Sequence, residues 1–80
     1  MKKNELKLAL DQANIYEEAY SLDGGLPDEK YTLDQGAGST WSVYYSERGK
    51  KTSFRQFSSE DEACDYFLKT IKDDQSVFKK

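Results

Sequence analysis

Leu6, Ala9, Leu10 and Ala13 recur at i, i+3, i+4 and i+7, which is one apolar stripe on a helix. The spacing predicts that helix over Lys3 to Ala13, a stretch with no Gly or Pro to break it. Asn14 suits the stop, because Asn tolerates the left-handed backbone just past a helix end. Ile15 to Leu22 reads less clearly; Ile15, Tyr16, Ala19 and Tyr20 fit a second short helical turn packed on the first. Asp23-Gly24-Gly25-Leu26-Pro27 is a loop, punctuated by two glycines and a proline.

The period then changes from helical to alternating. Lys30 to Leu33 carries Tyr31 and Leu33 in alternation, and a flexible connection from Asp34 to Ser39 follows. Trp41 to Tyr45 sets Trp41, Val43 and Tyr45 on one face and Ser42 and Tyr44 on the other. Glu47-Arg48-Gly49-Lys50 predicts a hairpin turn in which Gly49 supplies a positive φ. Thr52 to Phe57 is a third strand with Phe54 and Phe57 out of strict alternation, which a bulge or an early strand end explains.

The last helix has the clearest start. Ser59 and Glu62 stand three apart, as in a capping box, and Glu60, Asp61 and Glu62 put negative charge on the positive end of the helix dipole. Ala63, Cys64, Phe67, Leu68 and Ile71 make the apolar stripe, with Lys69 and Lys72 near the other end. Asp73 to Lys80 reads as a frayed tail. The expected architecture is one α+β domain over residues 1–80, a three-stranded antiparallel meander packed against N- and C-terminal helices in the order α-β-β-β-α. Trp41 and Val43 are expected on the core side, facing Phe67 and Ile71.

Composition narrows the functions. Eighty residues bury only about 60–65 % of their unfolded surface, too little for a core and a deep substrate cleft together. Aromatics at 14 % argue for a folded module rather than a disordered one. The absence of His removes a His general base, a Ser-His-Asp triad and a His metal site. One Cys makes neither an internal disulfide nor a zinc cluster. No run approaches the roughly 18–20 apolar residues of a membrane span, and Glu5, Lys7 and Asp11 interrupt any signal-peptide pattern. The expectation is a reduced, cytoplasmic, non-enzymatic domain with no cofactor and no metal.

The residues that carry chemistry elsewhere have plainer accounts here. The acidic pairs Glu17-Glu18, Asp28-Glu29 and Asp73-Asp74 lie in polar loops or on helix faces, not in a pocket that would shift their pKa values. None has the alternating spacing of a calcium loop. Cys64 sits on the apolar stripe among carboxylates, which suits a buried structural thiol rather than a nucleophile. The α-β-β-β-α order is also that of double-stranded-RNA-binding domains. Those domains grip phosphate with a basic start to the last helix, whereas this one begins Ser58-Ser59-Glu60-Asp61-Glu62 and would repel it.

Charge distribution is more informative. Asp11 to Gly36 holds seven acids (Asp11, Glu17, Glu18, Asp23, Asp28, Glu29 and Asp34) against Lys30 alone, a net −6, in a chain whose total is −3. Residues 41–80 come to +1. An acidic patch interleaved with Tyr16, Tyr20 and Tyr31 suits a basic protein partner, because tyrosine offers an apolar body with a polar tip and opposite charge speeds encounter.

Three segments carry a resemblance: Ala19-Tyr20-Ser21-Leu22-Asp23-Gly24-Gly25-Leu26-Pro27-Asp28-Glu29, Trp41-Ser42-Val43-Tyr44-Tyr45-Ser46-Glu47-Arg48-Gly49, and Phe57-Ser58-Ser59-Glu60-Asp61-Glu62-Ala63-Cys64-Asp65-Tyr66-Phe67. Together the chain resembles small immunity proteins of bacterial polymorphic and contact-dependent growth-inhibition toxin systems. The resemblance implies that a neighbouring gene encodes a toxin whose C-terminal domain this protein neutralises by binding. Nucleases are common among such toxins, and a basic nuclease would match the acidic balance.

The expectation is therefore a binding protein that occludes a cognate toxin domain, with no direct nucleic acid and no membrane as partner. Asp23, Asp28, Glu29, Tyr31 and Asp34 are the first candidates for contact, and Trp41, Tyr44 and Glu47 the second. The acids would pair with Lys or Arg of the toxin and the rings would supply desolvated anchors. A small adaptor or regulatory domain with another protein target is the alternative, and a nucleic-acid binder a weaker one.

Overall fold

The apolar stripes and the alternating segments meet in one layer of helix on one layer of sheet. The computed structural model describes residues 1–79 and is α+β. Helix α1 spans Lys3–Gln12 and buries Leu6 and Leu10. Its first turn is closed by Lys2 N–H donating to the Glu5 carboxylate at 2.8 Å, and Asn14 takes the left-handed backbone (φ 63°) just past its end.

Helix α2 spans Glu60–Lys72 and buries Ala63, Cys64, Phe67 and Ile71. Ser59 Oγ accepts from Glu62 N–H at 3.2 Å and donates to Glu62 Oε1, also at 3.2 Å. The cap is therefore made, but Glu62 turns to the serine hydroxyl rather than reaching the Ser59 backbone N–H.

Strands β2 (Lys30–Gln35), β3 (Trp41–Glu47) and β4 (Lys50–Phe57) form the antiparallel meander. Tyr31 pairs with Tyr45, Leu33 with Val43 and Trp41 with Phe57. Arg48 and Gly49 make the hairpin turn, both at positive φ (51° and 76°), so its twist matches that of the strands. Between Val43–Arg55 and Tyr45–Thr52 the register slips by one, leaving Ser53 and Phe54 opposite Tyr44. Ser53 takes a left-handed φ of 54° there. β4 runs on through Phe57. Phe54 stacks on Tyr44 on one face of the sheet, and Phe57 packs against Tyr66 of α2 on the other.

Three expectations need correction. The sheet has four strands and is mixed, not three and antiparallel: Tyr20–Ser21 forms a short β1 parallel to β2. Only Glu17–Ala19 of the expected second helical turn is helical, as a 3-10 turn, after which Tyr20 extends so that its ring enters the core. The tail is also not frayed. Gln75–Val77 is a 3-10 turn, Val77 is buried, Phe78 bridges to Ile15, and Lys79 N–H donates to the Asn14 carbonyl at 2.8 Å. Val77 and Phe78 are the apolar residues that pin it. Lys80 lies outside the described residues.

α2 lies across β2, β3 and β4, and α1 packs beside α2. Leu6, Leu10, Ile15, Leu33, Val43, Phe67 and Ile71 fill the space between the layers, with Trp41 at 6 % exposure among them, as the alternation predicts. No helix among the described residues is long and apolar enough to cross a membrane.

The far face of the sheet is also covered. Thr32, Ser42, Tyr44 and Ser46 on that face are buried, although no helix lies over them. The cover is the loop between β1 and β2. Gly24 N–H continues the strand pairing to the Leu33 carbonyl (3.0 Å), Gly25 receives the Tyr44 hydroxyl (2.7 Å), and Asp28 receives Arg48 N–H (3.1 Å). Gly24 is required at the crossing. Its φ is +71°, and a Cβ there would sit 2.5 Å from the Asp34 carboxylate.

Candidate functional site

Two groups of acids on the surface differ in what they touch. Those near α1 are paired: Lys3 with Asp23 (3.1 Å), Lys7 with Asp11 (2.9 Å) and Glu17 (3.5 Å), and Lys2 with Asp61 (3.3 Å). Lys7 also donates to the Tyr20 hydroxyl (3.1 Å), and that bond and Asp11 hold its pKa above the usual lysine range. Lys3, Lys7, Glu17 and Asp23 line a hollow of about 730 Å³ between α1, β1 and Pro27, together with Lys30 and Glu60. Lys3, Lys7 and Lys30 face Glu17, Asp23 and Glu60 on its walls, so it offers no strong net charge to a ligand.

The second group is unpaired. Glu18, Asp28, Glu29, Glu47 and Asp74 make no salt bridge among the described residues. They gather around the β3–β4 turn end of the sheet, on the side of the two 3-10 turns. Here Tyr31 and Tyr45 meet edge to face across β2 and β3, their rings 4.9 Å apart. Two hollows of about 310 Å³ each open on this pair and share Tyr31, Tyr45 and Asp74 in their walls. Tyr16, Glu18 and Glu29 complete one, and Thr52, Tyr66 and Thr70 the other.

Asp74 fixes the floor. The Tyr31 hydroxyl donates to its Oδ2 at 2.9 Å, while Ser76 donates to Oδ1 from both Oγ (2.7 Å) and N–H (3.0 Å). The Ser76 bonds hold the Asp74 pKa below the usual carboxylate range. Burial, then the bond to Asp74, pushes Tyr31 up to about 12. Tyr45 is also raised, by burial and then by the negative charges of Glu29, Glu47, Asp74 and Asp28. One phenol thus feels four carboxylates, with no cation salt-bridged to any of them among the described residues. At neutral pH Asp74 is charged and Tyr31 is neutral, so neither is tuned to exchange a proton there.

Among the expected contact residues, Glu29, Tyr31 and Glu47 converge on this surface. Asp28 lies beside it, with one oxygen committed to Arg48 N–H. Asp23 is elsewhere, paired with Lys3, and Asp34 lies under Gly24 beside the Tyr44 hydroxyl. Trp41 and Tyr44 are buried, at 6 % and 1 % exposure, and present no ring to a partner. Tyr16, Glu18, Tyr45 and Asp74 join the surface without having been expected. The strict alternation of β3 assigned Tyr45 to the core side, and Asp74 stood in a tail read as loose.

Cys64 is fully buried in the core, and burial pushes its thiol up to about 11. Among the described residues no group of three or more His, Cys, Asp or Glu is placed to hold a metal ion. No protein-family model, curated protein or solved structure matches the chain.

Proposed function

We infer that the chain is an immunity protein that binds a cognate bacterial toxin domain and occludes its active site, with a basic nuclease as the target that fits best. The observation that supports this reading is the convergence of unpaired carboxylates on a tyrosine-lined surface. Like charges held together without counter-ions favour a cationic partner, and half-buried rings supply area that a partner can desolvate. A nuclease binds its phosphate substrate with Lys and Arg, and an acidic inhibitor presents the same sign of charge as that substrate.

Glu18→Gln, Glu29→Gln and Glu47→Gln together test it, because among the described residues none of these side chains makes a hydrogen bond or ion pair that the fold uses. The assay is stopped-flow association with the toxin domain encoded beside this gene, at two ionic strengths. The triple variant is expected to associate about tenfold more slowly at low salt, with a flatter salt dependence and an unchanged urea melt. An unchanged association rate overturns the placement of the surface. No complex between the wild-type chain and that domain overturns the function.

A further inference from the structure

We propose that the free edge of β4 accepts a short, extended, acidic segment of a protein partner as a fifth strand of the sheet. The acidic surface above does not enter this argument.

β4 is the last strand of the sheet order, and Lys50 to Gln56 are all exposed. Among the described residues no backbone hydrogen bond engages β4 except those to β3. Its outer edge therefore carries unmet N–H and C=O groups in strand geometry, the template for β-strand addition. From Arg48 to Ser59 the chain holds four cations (Arg48, Lys50, Lys51 and Arg55) and no acid. Among the described residues none of the four is in a salt bridge. Lys51 rests over the Tyr44 ring (4.8 Å) on one face of the sheet and Arg55 over the Tyr66 ring (5.6 Å) on the other, so the two cations flank the strand on both faces rather than being left to swing. Phe54, at 45 % exposure, stands beside Lys51.

Lysines and bulges also protect edge strands from unwanted pairing, and here they decide which strand is admitted. Two copies of β4 side by side would oppose Lys and Arg to one another, which is destabilising. The bulge at Ser53 and Phe54 leaves only Lys50–Thr52 and Arg55–Phe57 in continuous register, so a long neutral strand cannot run the whole edge. A short acidic segment meets both conditions. A single nucleic-acid strand fits less well, because it would leave the backbone groups unmet and find one exposed ring where successive bases need several.

The probe is a capped peptide of alternating Asp and Val, titrated into the isotope-labelled full chain and followed by backbone amide shifts. Shifts are expected along Lys50–Phe57, weakening with salt, and the peptide with Lys in place of Asp should bind at least about tenfold more weakly. Two further peptides, N-methylated at alternate residues, separate strand pairing from charge. One has its N–H groups blocked toward β4 and should lose about tenfold or more in affinity; the other, blocked away from β4, should bind nearly as the parent does. Equal binding of the two, or shifts centred away from β4, overturns strand addition. So does no binding of the parent peptide at millimolar concentration. Tighter binding at β4 by a deoxythymidine ten-mer would make the edge a nucleic-acid site, and a dimer disrupted by Arg55→Glu would make it an interface between copies; each also overturns the proposal.

Discussion

Tyr44→Phe removes one oxygen and leaves the ring volume unchanged, so it isolates the bond that ties the β1–β2 loop to the far face of the sheet. The donor is buried, the bond is 2.7 Å long, and the acceptor is the carbonyl of Gly25, an exposed residue. After the substitution, water can reach that carbonyl, so no buried acceptor is stranded. The loss should then be the net value of an ordinary hydrogen bond, about 1 kcal/mol, rather than the larger penalty of an unsatisfied buried group. In a domain of this size that lowers the melting midpoint by roughly 4–8 °C.

The sharper readout is local. Gly24 N–H bonded to Leu33 and Arg48 N–H bonded to Asp28 are the other two ties of the same loop. If the three act together, the exchange rates of these amides should rise about fivefold, the factor that 1 kcal/mol represents. Amides of α2 around Phe67 should change only as much as global stability does. A melt lowered with Gly24 and Arg48 exchange unaltered would show that the loop is not held as a unit. A loss above 3 kcal/mol would show that the ring had moved and not merely lost its hydroxyl.

Phe67→Ala empties a core site 1 % exposed and should cost about 3–5 kcal/mol in urea melts, a large part of the roughly 4–12 kcal/mol expected for the whole domain; a loss under about 1 kcal/mol would contradict the packing of α2 on β3. Ser46 Oγ is fully buried with no hydrogen-bond partner among the described residues, so Ser46→Ala should hold or raise stability, by up to about 1 kcal/mol, where most buried substitutions lower it; a clear loss in the same melts would reveal a partner for the hydroxyl. Tyr31, Tyr44 and Tyr45 all have raised pKa values, Tyr31 to about 12. A raised pKa in the folded state contributes stability that is complete below the unfolded value near 10 and is lost as pH climbs through the folded value. Phenolate absorbance should therefore show tyrosines ionising above pH 10 in the folded protein, Tyr31 at about 12, and near 10 in urea. All six tyrosines titrating together near 10 in the folded protein would refute it.

The parts of the fold legible in the sequence are those decided by neighbours in the chain. The stripe of α1, the Ser59 cap of α2, the positive φ of Gly49 and the alternation of Trp41 and Val43 each depend on a few adjacent residues. What was not legible depends on distant ones. Tyr20-Ser21 has no strand pattern of its own; it is extended because Tyr31 and Thr32 offer it a parallel edge. Val77 and Phe78 look like two apolar residues in a polar tail until Ile15 and Asn14 are brought beside them. Tyr44 alternates away from the core, as read, yet is buried because a loop nineteen residues earlier folds over it. The candidate surface divides in the same way. Glu29, Tyr31 and Glu47 stood out by type and by local charge. Tyr45 and Asp74 belong to it through strand register and an ordered C-terminal turn, and neither is visible in a linear reading.

The sorting of charge follows from that topology. Lysines of α1 lie within reach of Asp11, Glu17, Asp23 and Asp61, so this side of the molecule neutralises itself, and exposed pairs of this kind add little stability. The meander separates the rest. β2 and the two 3-10 turns carry carboxylates to one side of β3, while β4 carries cations to the far edge. Glu47 and Lys50, directly opposed at the turn, are where the two territories touch. Had β4 folded beside β2, its cations would have faced Glu29 and Asp28 and the net field of both surfaces would have fallen. The order β1-β2-β3-β4 sets β2 and β4 two strand spacings apart, about 9–10 Å, close to the Debye length of about 8 Å at physiological salt. Each surface is therefore partly attenuated by the other, and added salt weakens that attenuation together with the attraction to a partner. Charge reversal on β4 should accordingly alter association at the acidic surface as well, which is why the triple glutamine variant, and not a β4 variant, is the clean test of that surface.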